Sequence, residues 1–127
     1  MKRVTVSAVS PFAEAAGYSR LVRIGPHAWV AGTAPIMPGD ADPPADAYGQ
    51  TRRCLEIALA ALAEAGATAE HVVRTRIMFT RQADFDEIAR AHGEVFRHVK
   101  PVNTSYVVEL LDPRWLLEIE LEAFIPE

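Results

Sequence analysis

The stretch that most constrains this chain runs from Trp115 to Phe124. Trp115, Leu117, Ile119, Leu121 and Ala123 alternate there with Glu118, Glu120 and Glu122. A period of two is the signature of a strand with one buried face. It spaces the three carboxylates roughly 7 Å apart along the other face. Like charges in a row on a sheet need a reason, either in cross-strand partners or in what the face is turned toward.

The residues just before it, Asn103 to Leu110, are β-branched and aromatic around Tyr106-Val107-Val108. They read as a strand joined to the first by a turn at Leu111-Asp112-Pro113-Arg114, with Asp and Pro supplying the turn chemistry. Earlier in the chain, Lys2 to Ala8 is a short alternating strand. Tyr18 to Ile24 and Ala28 to Thr33 flank Gly25-Pro26-His27 and predict a hairpin. Ser10 to Gly17 is irregular, and Met37 to Ala47, with three prolines and three aspartates, is a loop.

Two helices separate the later strands. Tyr48 to Ala65 is rich in Ala, Leu and Glu, with Leu55, Ala58, Leu59 and Leu62 at helical spacing. Gly66 stands where a left-handed cap belongs. Ala83 to Arg97 carries an apolar stripe of Phe85, Ile88, Ala89, His92, Val95 and Phe96, and Pro101 cannot continue it. Between them, Val72 to Thr80 is a strand with Arg74, Arg76 and Met78 on one side and Val73, Thr75, Ile77 and Phe79 on the other. The order predicts an α+β fold in which a mostly antiparallel β-sheet carries two helices on one face. At 127 residues, a single domain spanning 1–127 is expected. If register places them on one side, the open face carries Arg74, Arg76 and the three glutamates. Such a face is either wet or covered by another chain.

Composition excludes several classes. A net charge of −4 opposes nucleic-acid binding, which needs a basic surface to neutralise phosphates. No run approaches the ~18 apolar residues of a membrane span, and no apolar run follows Met1-Lys2-Arg3 as a signal peptide would require. Cys54 is the sole cysteine, on the apolar stripe of the first helix, and fits a core residue in a reducing cytoplasm. Phosphate-binding glycine loops and serine-nucleophile elbows are absent. His71, His92 and His98 do not have metal-ligand spacing, so no metal is expected. His92 reads as a structural histidine on an apolar stripe. Trp115 reads either as core or as the wall of a binding cleft.

Several segments, in order, carry a family resemblance. Lys100-Pro101-Val102-Asn103-Thr104-Ser105, followed by Trp115-Leu116-Leu117-Glu118-Ile119-Glu120, resembles the closing signature of the Rid family, also called YjgF or reactive intermediate deaminase A proteins. Gly17-Tyr18-Ser19 resembles its Gly-Pro-Tyr-Ser segment. Trp29-Val30-Ala31-Gly32-Thr33-Ala34-Pro35 resembles its Phe-x-Ser-Gly-Gln-x-Pro strand. Gln50-Thr51-Arg52, Ala65-Gly66-Ala67, Val72 to Thr75, Asp84-Phe85 and Phe96 fit the elements between. The resemblance implies a chorismate mutase-like fold and a cytoplasmic homotrimer with ligand clefts between subunits. It also implies hydrolysis of reactive enamines and imines without a metal or organic cofactor.

In that family a glutamate handles the water and an arginine fifteen positions earlier grips the substrate carboxylate. The glutamate falls on Glu118. The arginine falls on Asn103, which can donate hydrogen bonds but carries no charge. The family's serine before the strand glycine falls on Ala31, while Gly32 and Tyr18 are kept. An asparagine common on the second helix falls on Ala89. The resemblance therefore assigns Glu118 a catalytic role and places Asn103, Tyr18, Ala31, Gly32 and Trp115 around the ligand. Asn103 argues against deamination of 2-iminoacids themselves. The substrate then lacks a carboxylate, or Arg20, Arg76 or Arg114 replaces the clamp, or the trimer binds a metabolite without turnover and serves a regulatory role.

Overall fold

A computed structural model describes residues 1–126. Six strands form one sheet in the order β1-β2-β3-β6-β4-β5. They are β1 (Arg3–Val6), β2 (Leu21–Ile24), β3 (His27–Thr33), β4 (Val72–Phe79), β5 (Val102–Val107) and β6 (Leu117–Phe124). A short α1 (Ala13–Ala16) interrupts the expected irregular segment. Two longer helices, α2 (Ala47–Glu64) and α3 (Phe85–Phe96), cover one sheet face. This is the α+β arrangement that the alternation of strand and helix patterns predicts.

The alternating strand is central because both of its neighbours bury the same face. β6 lies between β3 and β4, antiparallel to both. Leu117, Ile119, Leu121 and Ala123 are buried beneath α2, alongside Val30 from β3 and Ile77 and Phe79 from β4. Leu55, Ala58 and Leu62 of α2 and Ile88 and Phe96 of α3 close the core from the other side. Asp46 caps α2 by accepting from the Gly49 amide at 3.1 Å. At its far end Gly66 takes φ of 85°, where a Cβ would be strained, and lets the Ala67 amide reach the Leu62 carbonyl at 2.8 Å.

The structure departs from the pattern in three places. β5 and β6 do not form a hairpin. β5 runs parallel to β4, with Thr75 opposite Asn103. A helix between two strands makes a crossover, which favours parallel pairing, and the 108–116 segment then carries the chain back to the gap between β3 and β4. Val73 is 49% exposed rather than core-facing, because a register shift between Val72 and Arg74 turns it outward. Ala89 faces solvent, and Ala91 is the buried alanine of α3.

Register does place Arg74, Arg76, Glu118, Glu120 and Glu122 on one face. Arg74 stands opposite Glu122, Arg76 opposite Glu120 and Met78 opposite Glu118. No helix among the described residues is long and apolar enough to cross a membrane.

Candidate active site

The three glutamates of β6 are not equivalent. Glu120 is ion-paired with Arg76, and Glu122 lies 3.9 Å from Arg74. Those two form the cross-strand charge pairs that balance a polar sheet face. Opposite Glu118 is Met78, which offers no charge. Among the described residues, no side chain donates a hydrogen bond to Glu118 or forms an ion pair with it. Burial pushes its carboxyl above the ordinary glutamate value, and the positive charge of Arg20 opposes that rise.

Gly32 explains how a carboxylate fits there. The β3–β6 pairing shifts register between Val30 and Thr33, and Gly32 lies in that bulge. A Cβ at Gly32 would stand 2.9 Å from Glu118 Oε1, so the missing side chain is the space that the carboxylate occupies. On its other side, the Gly32 carbonyl accepts from Arg20 Nη1 at 3.0 Å, and the Thr33 hydroxyl accepts from the same nitrogen at 3.0 Å. Arg20 is only 4% exposed, and burial lowers its pKa.

The approach to β6 is also fixed. Gln50 of α2 is buried and donates to the Pro44 and Arg114 carbonyls at 2.9 and 3.0 Å, while accepting from the Leu116 amide at 2.8 Å. These bonds hold the residues immediately before Glu118 against α2. Arg114 itself is enclosed by Asp40, Asp42 and Asp112.

Tyr18 and Ala31 line a groove of about 510 Å³ on the open face, together with Trp29, Arg76, Glu120 and Glu122. Tyr18 is 39% exposed and its hydroxyl donates to Ser10 Oγ at 2.9 Å. Chain continuity puts Ala31 beside Gly32, so Tyr18, Ala31, Gly32 and Glu118 gather on one region of the sheet. Trp115 is 7% exposed and packs edge-to-face against Phe12 at 6.2 Å; the Phe12 amide donates to Ser10 Oγ, the same oxygen that Tyr18 reaches.

Asn103 does not join them within one chain. In the β4–β5 register it shares a face with Thr75, the side covered by α3, whereas Glu118 shares the opposite face with Met78. Asn103 Nδ2 donates to Thr75 Oγ1 at 2.9 Å, and its Oδ1 accepts from Ser105 Oγ at 2.8 Å. His92 Nε2 meets the same Thr75 hydroxyl at 2.8 Å. His92 is thereby satisfied as a structural group, and its burial lowers its pKa. Thr75 could not be singled out from sequence, because its role depends on which strand β5 pairs with.

The fold and site define an α+β protein with one sheet face covered by helices, while its open face carries one carboxylate, Glu118, that forms no ion pair among the described residues. Residues 8–125 match the family described as Endoribonuclease L-PSP, and the chain belongs to this family, which includes the YjgF/Rid proteins. It is 38% identical to an uncharacterized protein of Streptomyces coelicolor over 94% of this chain and 90% of that protein. Its fold matches a YjgF/YER057c/UK114-family protein of Mycobacterium tuberculosis, 40% identical, with a TM-score of 0.89 over 98% of this chain and all of that one (100%). It also matches TdcF of E. coli, solved with bound serine, at 25% identity and a TM-score of 0.81 over 96% of this chain and 94% of that chain.

Proposed function

We propose that the protein is a Rid-type hydrolase of small imines, enamines or related carbonyl compounds, working as a homotrimer with its ligand clefts between subunits. The observation that carries this reading is the state of Glu118. It is the one glutamate of the β6 row left without a cation partner, it is partly buried, and its proton affinity is raised. Those are the attributes of a group that can take up and release a proton during a reaction.

Glu118 accepts a proton from water as the water oxygen adds to the electrophilic carbon of C=N. The carbon–nitrogen π pair moves to nitrogen, which takes the proton. Glu118 then carries the hydroxyl proton to nitrogen, and as the carbon–nitrogen bond breaks ammonia leaves and the carbonyl product forms. Tyr18 and the backbone at Ala31 and Gly32 form the wall against which the ligand is oriented. Asn103 and Glu118 face opposite sides of one sheet, so a cleft that uses both takes Asn103 from the partner subunit. A trimer also covers the exposed Trp29 and Phe124 of the open face. Serine bound by the relative TdcF supports a small amino-acid-like ligand. The charge of −4, and the pairing of Arg74 and Arg76 with glutamates, weigh against RNA as the substrate.

The test is ketoacid or ketone release from enzymatically generated 2-iminoacids (acidic, neutral and aromatic) and from uncharged imines. Wild-type protein should accelerate release, and Glu118→Ala should not. Equal rates for the two proteins across the whole set would overturn the assignment. The second reading, a binding trimer without turnover, draws on Asn103, whose amide is already engaged by Thr75 and Ser105. It predicts ligands that bind in calorimetry and are recovered unchanged.

A further inference from the structure

We propose that Arg20 is the anion-recognising residue of the Glu118 site, taking a carboxylate of the ligand on its free edge. This deepens the reading of the Glu118 region as the ligand site and rests on it.

Most cations near the site are either exposed or already engaged: Arg3 lines the groove beside Tyr18 but lies in solvent, where its charge is screened. Arg74 and Arg76 face glutamates, and Arg114 is enclosed by three aspartates. Arg23 is turned to the Gly25 and Ala65 carbonyls. Arg20 is the buried arginine beside Gly32, and among the described residues no carboxylate lies within ion-pair distance of it. A guanidinium has five N–H donors. In Arg20 only Nη1 is engaged, by the Gly32 carbonyl and the Thr33 hydroxyl. Nε and Nη2 have no partner among the described residues.

That free edge is not sealed off. Among the described residues no fully buried side-chain nitrogen or oxygen lacks a partner, so the unpartnered Nε and Nη2 each keep a small accessible surface although the residue is only 4% exposed. Two parallel N–H groups along Nε and Nη2 are the fork that binds a carboxylate in bidentate fashion. Nη1 anchors the plane, so little rotational freedom remains to be lost on binding. Glu118 acts on this buried cation only through space, without a direct ion pair, so an anionic ligand in hydrogen-bond contact would offset more of its desolvation.

Position relative to Glu118 completes the case. The guanidinium holds the carbonyl of Gly32, and the Glu118 carboxylate fills the space over the same residue. A small ligand with its carboxylate on Arg20 then has its reacting carbon directed toward Glu118. The charge absent at position 103 is supplied from the segment just before β2.

The experiment measures binding rather than turnover, so that it is independent of whether Glu118 catalyses. Calorimetry compares 2-oxobutanoate with its neutral counterpart 2-oxobutanamide, in wild-type protein and in Glu118→Gln. Both proteins should prefer the carboxylate by about ten- to a hundredfold, the worth of one charge-assisted fork. Arg20→Met should lose the preference while Arg114→Ala keeps it, with folding checked by circular dichroism. Because Arg20→Met also removes the bonds to Gly32 and Thr33, the wild-type Arg20 Nε–H resonance is followed in parallel. It should shift with 2-oxobutanoate and not with the amide. Equal binding of the two compounds by wild-type protein, a preference that survives in folded Arg20→Met, or an Nε–H resonance unmoved by 2-oxobutanoate would overturn the proposal.

Discussion

Glu118 and Glu120 stand two residues apart on one strand and one face, yet they have opposite surroundings. Glu120 meets Arg76 across the ladder, while Glu118 meets Met78 and the bulge at Gly32. Sequence alternation alone makes them equal. What separates them is the neighbour that register supplies, a cation for one and a glycine-made space for the other. A paired carboxylate is held in its charged form and contributes to the sheet. An unpaired, partly buried one is a poorer charge and a better proton acceptor.

Neutralising each glutamate in turn should separate their roles most clearly. Glu118→Gln should lower turnover of a small imine by about 10²- to 10⁴-fold, the usual worth of a positioned general base. Glu120→Gln should leave turnover within a few-fold of wild type. Steady-state kinetics of both variants on one substrate checks this, and equal losses would erase the distinction.

Gly32→Ala probes the same contact from the other strand. Its methyl group would stand 2.9 Å from Glu118 Oε1, and Gly32 does not have a positive φ, so the backbone accepts alanine. The carboxylate must move instead. Displacement of a reacting group by about 1 Å costs up to ~100-fold in rate, with a melting temperature near that of wild type. A variant that unfolds, or that keeps full turnover, would contradict the close approach.

The opposite sheet face should respond in stability. Thr75→Val removes a buried hydroxyl that serves both His92 and Asn103, and should cost about 1–3 kcal/mol in urea denaturation. Glu120→Gln should cost least, about 0.2–1 kcal/mol, and less at high salt, as expected for a half-exposed cross-strand pair.

Most of the element order was legible because each segment's period is local information. The β6 alternation, the α2 stripe with Gly66 behind it, and the hairpin around Gly25 all follow from residues a few positions apart. Partner choice in the sheet was not. Residues 102–117 look like two strands and a turn, and only the crossover through α3 shows that β5 belongs beside β4. The bulge that turns out Val73 and the one that brings Gly32 under Glu118 are also outcomes of pairing. For the site, the resemblance indicated Glu118, Gly32, Tyr18 and Ala31, and the structure gathers these four on one region of the sheet. It could not show that Asn103 lies on the other face, bonded to Thr75. Nor could it show that, of Arg20, Arg76 and Arg114, Arg20 alone has no ion-paired carboxylate among the described residues.

Because burial raises the Glu118 pKa, its charged form is disfavoured in the folded protein. The stability tied to its protonated form is present below the ordinary value of 4.5 and is lost as pH rises through the folded value. Glu118→Gln should therefore be at least as stable as wild type at neutral pH, with the gap closing in acid. The most direct measurement is a carbon-13 NMR titration of the Glu118 side-chain carboxyl in the wild-type protein. A midpoint above 4.5 is the result predicted for a desolvated, unpaired carboxylate. A midpoint at or below it would mean that Glu118 is as well paired as its neighbours, and would contradict its role as the working base.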